Sequence, residues 1–227
     1  MESHSRTAVV TGGSRGLGLA VVRALAQRGW QVIADARDGD RLEHALSGLP
    51  NVVRVPGDVA DPGHRTELAE KVPEGVDLLV NNASVLGPSP QPGLAGYPLA
   101  ELERVYAVNV IAPLALIQLL LPGLRRRRGR IIDVSSDAAV EPYEGWGGYG
   151  SAKAALDQLT AVLGVEEPDV RVYACDPGDM NTDLQQQAFP GEDTSDRPEP
   201  ETVVPAVLRL IEGDLPSGRY QAREILG

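Results

Sequence analysis

The chain predicts an α/β fold: a doubly wound parallel sheet of about seven strands with helices on both faces. Three observations carry this. A short β-preferring run, Ala8-Val9-Val10, enters a glycine-rich turn, and beyond it Leu17, Ala20, Val21, Ala24 and Leu25 recur at helical spacing. Short apolar runs then alternate with helical patterns along the chain, the order that gives right-handed crossovers and parallel strands. Finally, Val76-Asp-Leu-Leu-Val80 is almost continuously apolar, as a strand covered on both faces must be. No linker or repeat interrupts the pattern, so residues 1–227 are expected to form one domain.

Taken in order, the turn at 11–18 has glycines at 12, 16 and 18, a G-x-x-x-G-x-G spacing between strand and helix. That arrangement turns backbone N–H groups and a helix N-terminus toward a phosphate. Gly29 closes the first helix, and Gln31–Asp35 is the second strand. A short helix at 40–46 and a third strand at Val52–Val55 follow. Asp61-Pro62 starts the next helix, with aspartate as N-cap and proline at the first helical position. After the fourth strand, residues 84–98 form a Pro/Gly-rich loop leading to a long helix from 99 to 126. Its terminal Arg125-Arg-Arg-Arg128 suits a solvated helix C-terminus. Strands at Arg130–Val134, Val170–Ala174 and Arg219–Gln221 complete the sheet, with helices at 147–163 and 202–211 between them. Residues 180–198, rich in Gly, Pro and acids, are expected to form a mobile lid.

Composition narrows the function. A formal charge of −11 argues against a nucleic-acid or anionic-membrane surface. The longest apolar stretch, Val110 to Leu121, carries Pro113 and Gln118 and is too short to span a bilayer. The single Cys175 and the lack of an apolar signal core near Met1 fit a cytoplasmic protein. Three scattered histidines give no metal-ligand cluster.

Tyr149-Gly-Ser-Ala-Lys153 places a phenol and an ammonium four residues apart, on one helix face. A nearby cation favours the phenolate and draws its pKa toward the working range. Ser136 lies 13 residues earlier, just after the fifth strand, where open parallel sheets place their active sites. Together with the glycine turn, these residues resemble the compact branch of the short-chain dehydrogenase/reductase family, over nearly the whole chain. Asp58-Val59 resembles the family's adenine-contacting acid, and Asn81-Asn-Ala-Ser84 its N-N-A-G. Pro177-Gly178 with Thr182 resembles the segment lying along the nicotinamide. Ser84 stands where the family has glycine and is expected to touch no catalytic group.

The resemblance implies a Rossmann-like oxidoreductase interconverting a carbonyl and a secondary alcohol of a small molecule. Its catalytic set would be Asn109, Ser136, Tyr149 and Lys153, with Ser135 the competitor for the serine role. Ser136 would hold the substrate oxygen, Tyr149 would exchange its proton, and Lys153 would bind the nicotinamide ribose. Cofactor contacts would come from Gly12, Ser14, Arg15, Gly16, Leu17, Gly18, Arg37, Asp58, Val59, Asn82, Ala83, Tyr149, Lys153, Pro177, Gly178 and Thr182. Arg15 and Arg37 fit the 2′-phosphate, so NADP(H) is preferred and NAD(H) is the alternative. Asp35 falls one residue before the position of the family's ribose-binding acid, which here is Ala36. Pro113 has no N–H for the Asn109 carbonyl, which in the family holds a water on the way to the lysine. Trp146, Tyr143, Phe189 and Tyr97 are candidate pocket walls. A homodimer or homotetramer through the 99–126 and Tyr149 helices is expected, using Ala154, Ala155, Leu156 and Leu159. A cofactor-sensing regulator and a non-redox dehydratase or epimerase are the alternative functions on this scaffold.

Overall fold

The computed structural model describes residues 5–72 and 74–226. Seven parallel strands lie in the order β3-β2-β1-β4-β5-β6-β7. They are β1 Thr7–Val10, β2 Gln31–Ala36, β3 Val52–Pro56, β4 Leu78–Asn81, β5 Arg130–Val134, β6 Arg171–Asp176 and β7 Gly218–Gln221. Successive strand side chains point to opposite faces, and both faces are apolar. Ala8, Val10, Leu78 and Val80 pack on one side, against α1 (Gly16–Gln27), α2 (Gly39–Ala45) and α8 (Val204–Glu212). Val9, Ile33, Leu79 and Ile131 pack on the other, against α3 (Pro62–Glu70) and α5 (Ala112–Arg127). α6 (Gly147–Glu166) packs on β6. The chain runs outward from β1 to β3 and then returns to β4 on β1's other side. That reversal opens a crevice at the carboxyl ends of β1 and β4.

The long helix is present but is not one regular α-helix. It runs as α4 (Leu99–Tyr106), a π-helical turn at Ala107–Ile111, and α5. The Ala112 N–H reaches the Ala107 carbonyl, five residues back. Pro113, at the start of α5, cannot donate, so the backbone passes it in a wider register rather than a simple kink. The apolar stretch is also longer than expected. Leu99–Arg127 is long and apolar enough to cross a membrane by length and composition alone, but 56% of its apolar window is buried, as in a core helix. Its basic end is solvated as expected, with Arg125, Arg126 and Arg128 exposed, and Arg125 also makes two hydrogen bonds to Glu167, at 2.8 and 2.5 Å.

Two short helices went unseen in the sequence: α7 (Asp183–Ala188) and α9 (Ala222–Leu226). α7 falls in the expected lid, and the lid buries more than its composition suggests. Gln185 and Thr194 are buried, the Thr194 hydroxyl donates to Gln186 at 3.1 Å, and the Arg197 guanidinium lies over Phe189. The Asn181 N–H also bonds the Pro198 carbonyl at 2.9 Å, closing the segment's two ends on each other.

Candidate active site

The crevice holds a cavity of about 720 Å³ running from the glycine turn to Tyr149. Gly12 and Gly16 take φ of 72° and 54°, a region open to glycine at no steric cost. α1 has no side-chain cap and no acid in its first turn, so its N-terminal amides and positive dipole end lack side-chain partners. Of the residues the resemblance assigns to a cofactor, all line this cavity except Gly18. Gly18 acts by packing instead: a Cβ there would sit on the Gly12 carbonyl oxygen and the Asn82 amide. The uncapped helix, the bare turn and the arginines at the far rim fit a phosphate-bearing dinucleotide.

Asp35 is spent on the turn. Its Oδ1 accepts the Gly12 N–H at 2.8 Å, its backbone carbonyl the Gly13 N–H at 2.7 Å, and its Oδ2 lies 3.0 Å from His64 Nε2. Burial pushes this carboxyl's pKa up, while the His64 and Gly12 hydrogen bonds pull it back. Arg37, two residues on, is exposed at the cavity rim. Asp58 accepts the Ala60 N–H at 2.9 Å and lines the cavity with Val59.

Sequence reasoning missed three members of this half. Thr11 accepts the Asn82 and Ala83 N–H groups on its hydroxyl, each at 3.0 Å. Arg41, one helical turn after Arg37, lines the cavity and donates to Asp183 Oδ2 at 3.1 Å. Arg15 donates to the same Asp183 oxygen. Burial works against the Asp183 charge, but Arg15 and then Arg41 hold its carboxyl below the usual range. The arginine spacing after β2 was the available signal for Arg41, whereas nothing local pointed to Asp183.

At the other end, Asn109 lies outside the cavity lining and acts as a brace. Its Oδ1 accepts the Val85 N–H and its Nδ2 donates to the Val85 carbonyl, both at 2.9 Å. Ser84 corrects the expectation of a passive hydroxymethyl. Its Oγ donates to Asn109 Oδ1 at 3.2 Å, and it lines the cavity beside Tyr149, where it pulls the phenol's pKa down. Ser136 also lines the cavity beside Tyr149, and its Oγ donates to Asp137 Oδ1 at 3.0 Å. The competing Ser135 is buried, and its hydroxyl has no partner among the described residues.

Tyr149 and Lys153 share a face of α6, as their spacing requires, but their charges do not behave as expected. Burial dominates and pushes the Tyr149 phenol up to about 12. The neighbouring Ser84 and Ser136 hydroxyls oppose this, while Asp137 and Asp176 add to it. The Lys153 ammonium lies 5.5 Å from the phenol ring centroid and donates to the Val134 carbonyl at 2.6 Å. Burial also lowers its own pKa to about 8, against the pull of Asp157 and Asp133. Thus without cofactor the cation does not bring the phenol into the neutral range, because desolvation outweighs it. Beneath this pair, Asp133 is fully buried between Asn81 Nδ2 and the Thr160 hydroxyl, each at 2.7 Å.

Three of the four aromatic candidates gather here. Trp146 packs 5.8 Å from Tyr149, 5.9 Å from Phe189 and 6.3 Å from Tyr143, between ring centroids. Of the four only Trp146 lines the cavity; Tyr143 and Phe189 pack against its ring, and Tyr97 is buried apart from them, against Gly87 and Gly148.

Fold and site together define a dinucleotide-dependent oxidoreductase. The short chain dehydrogenase family model matches residues 6–193, and the chain belongs to that family, whose members act on CH–OH and C=O groups. It is 36% identical over 202 residues to sepiapterin reductase of Meriones unguiculatus, covering 79% of this chain and 76% of that protein. Among solved structures, an alcohol dehydrogenase of Thermococcus sibiricus complexed with 5-hydroxy-NADP is 28% identical, with a TM-score of 0.85 and 96% of each chain covered. A short chain dehydrogenase of Escherichia coli CFT073 complexed with NADPH is 26% identical, with a TM-score of 0.88 and 96% coverage of both.

Proposed function

We propose that the protein is an NADP(H)-dependent carbonyl reductase of small ketones or aldehydes. One observation carries the reading: a buried phenol, with the Ser84 and Ser136 hydroxyls beside it, lines the same cavity whose opposite rim carries Arg15, Arg37 and Arg41. The cofactor, when bound, supplies a hydride to the carbonyl carbon. Lys153 would release Val134 and serve the ribose, while the glycine turn and α1 would take the pyrophosphate. Tyr149 gives its proton to the carbonyl oxygen as the new C–H bond forms. A phenol held up to about 12 is already protonated at neutral pH, so reduction needs no prior change at Tyr149. Alcohol oxidation, by contrast, needs the phenolate, which burial disfavours. Ser136 turns its O–H from Asp137 to the substrate oxygen, and Asp137 holds it until then.

NADPH consumption across a panel of ketones, aldehydes, quinones and sugar-derived carbonyls tests the proposal. At least one should be reduced, and Tyr149→Phe should lower turnover by ~10²–10⁴ while NADPH still binds. A variant keeping more than about a tenth of the activity removes Tyr149 from the proton transfer.

A further inference from the structure

β7 lies beyond the residues the family model matches, yet it sends one charged side chain under the catalytic half. Arg219 pairs with Ala174 of β6 in register. Its Nε donates to Asp157 Oδ2 at 2.9 Å. Its Nη2 donates to Asp176 Oδ2 at 3.1 Å and to the Ser136 carbonyl oxygen at 3.0 Å. Each acceptor belongs to a different part of the site. The Ser136 carbonyl sits in the segment carrying the proposed substrate-binding hydroxyl. Asp157 lies one turn of α6 beyond Lys153. Asp176 ends β6, and its Oδ1 accepts the Gly178 N–H at 3.0 Å, fixing the start of the Pro177-Gly178 segment.

Arginine suits this place because its planar fork directs several donors at once, which a lysine ammonium on a flexible stem does not. Charge matters as much as direction. The Asp157 and Asp176 side chains are only 14% and 5% exposed, and a buried carboxylate is costly without a counter-charge. Both also act on the reacting pair: Asp176 raises the Tyr149 pKa and Asp157 raises that of Lys153. The charged groups around the phenol are Asp137, Asp176 and Lys153, and Arg219 is bonded to one of them directly.

We propose that Arg219 is a positioning residue for carbonyl reduction: it locks the Ser136 segment, the Lys153 helix and the Pro177-Gly178 turn to one guanidinium and neutralises Asp176 beside Tyr149. This rests on the carbonyl-reductase reading above. Arg219→Met should lower kcat by roughly tenfold to a hundredfold, the scale of a small misplacement of reacting groups. NADPH affinity, read by cofactor fluorescence, should fall much less than kcat, because the glycine turn and α1, which would take the pyrophosphate, make no bond to Arg219. The alkaline limb of the pH–rate profile should move to higher pH, because Asp176 is then unopposed, and Asp176→Asn combined with Arg219→Met should bring it back. Arg219→Lys should keep the limb but not the turnover, since it restores the charge without the fork.

Hydrogen exchange tests the same device without any substrate. In Arg219→Met the Ala138 and Gly178 amides should lose at least about tenfold protection, with β1 unchanged. If Arg219→Met folds poorly, Arg219→Lys carries two of the readouts: lowered kcat and faster exchange at the Ala138 and Gly178 amides, with the limb in place. Wild-type kcat and an unmoved limb in Arg219→Met would overturn the proposal, as would unchanged exchange at both amides. A wild-type protein that reduces no carbonyl would instead defeat the functional reading, and the exchange measurement would still decide the role of Arg219.

Discussion

The two ends of the cavity are held by different kinds of bond. At the β1 end the backbone is the structural material: bare glycines let strand and helix meet, and Asp35, Thr11 and Asn82 attach to main-chain groups close to the turn. At the β5–β6 end side chains meet side chains from distant parts of the chain. Asn81 reaches Asp133 across 52 residues, and Arg219 reaches Asp157 across 62. Backbone-held geometry tolerates side-chain change but no added bulk. Side-chain geometry tolerates bulk at its edges but fails when one partner of a buried pair is removed.

The largest effect that separates the two ends is expected from Gly18→Ala. The new methyl would meet the Gly12 carbonyl, which is itself fixed by the turn, and no flexible side chain can give way. A loss of stability toward the upper end of ~1–3 kcal/mol is expected, together with weakened NADPH binding. Gly29→Ala, where a Cβ meets nothing, is the contrast: Gly29 is left-handed, as helical Gly18 is not, and the change costs only backbone strain. Chemical denaturation of both variants checks this. If Gly18→Ala proves no worse than Gly29→Ala, the turn is not sterically closed.

This contrast also explains what the sequence made legible. A strand, a glycine turn and a helix are local, so the glycine turn itself is legible, whereas Arg41 and Asp183 at the rim of the same end are not. Apolar runs marked six of the seven strands, with ends misplaced by at most two residues; β7, Gly218-Arg-Tyr-Gln221, carries no such run. The π-turn at Ala107–Ile111 was hidden because its cause, a missing donor at Pro113, predicts a fault without choosing its form. Ser84 is illegible for a similar reason: its partner Asn109 lies in the π-helical turn, 25 residues on. The pKa of Tyr149 was read from its nearest charge, whereas burial, a property of the folded whole, decides it. Arg219 and Asp183 belong to the same class, being ordinary surface-type residues until the fold supplies their partners.

Asp133 offers an intermediate effect at the catalytic end. Burial raises its carboxyl from 3.8 to about 6, so the folded protein binds a proton there that the unfolded chain has released. The cost of ionising it therefore grows as pH rises from about 4 to about 6 and is constant above that. Asp133→Asn removes this cost and keeps the bonding. Its amide oxygen can accept from Asn81, and its NH₂ can donate to Thr160, whose own proton turns to the Leu156 carbonyl, 2.8 Å away. The variant should be more stable than wild type by on the order of 1–3 kcal/mol at pH 7.5, with the difference vanishing near pH 4. Urea unfolding at the two pH values measures it. Lower stability at pH 7.5 would mean that the charge is needed, with Lys153 as its partner.

The smallest effect is expected at the outer rim of the phosphate end. Arg15 and Arg41 share one carboxylate oxygen of Asp183, so an anion already sits where a 2′-phosphate would be attracted. NADPH would have to displace that carboxylate, and the lid helix α7 that begins with it would move as the arginines change partner. A charge-assisted hydrogen bond contributes ~1.5–3 kcal/mol, but these side chains are about half exposed and solvent screens them. Arg41→Ala should therefore shift the kcat/KM ratio of NADPH over NADH by roughly tenfold and no more, with Arg37→Ala acting in the same direction. Asp183→Asn should do the reverse, tightening NADPH a few-fold at low salt because the arginines lose a competing anion; added salt should erase the gain. NADH should be indifferent to all three changes, since it brings no 2′-phosphate to the rim. If the ratio stays at its wild-type value in both arginine variants, the 2′-phosphate is not held here and the preference for NADPH has no structural basis at this rim.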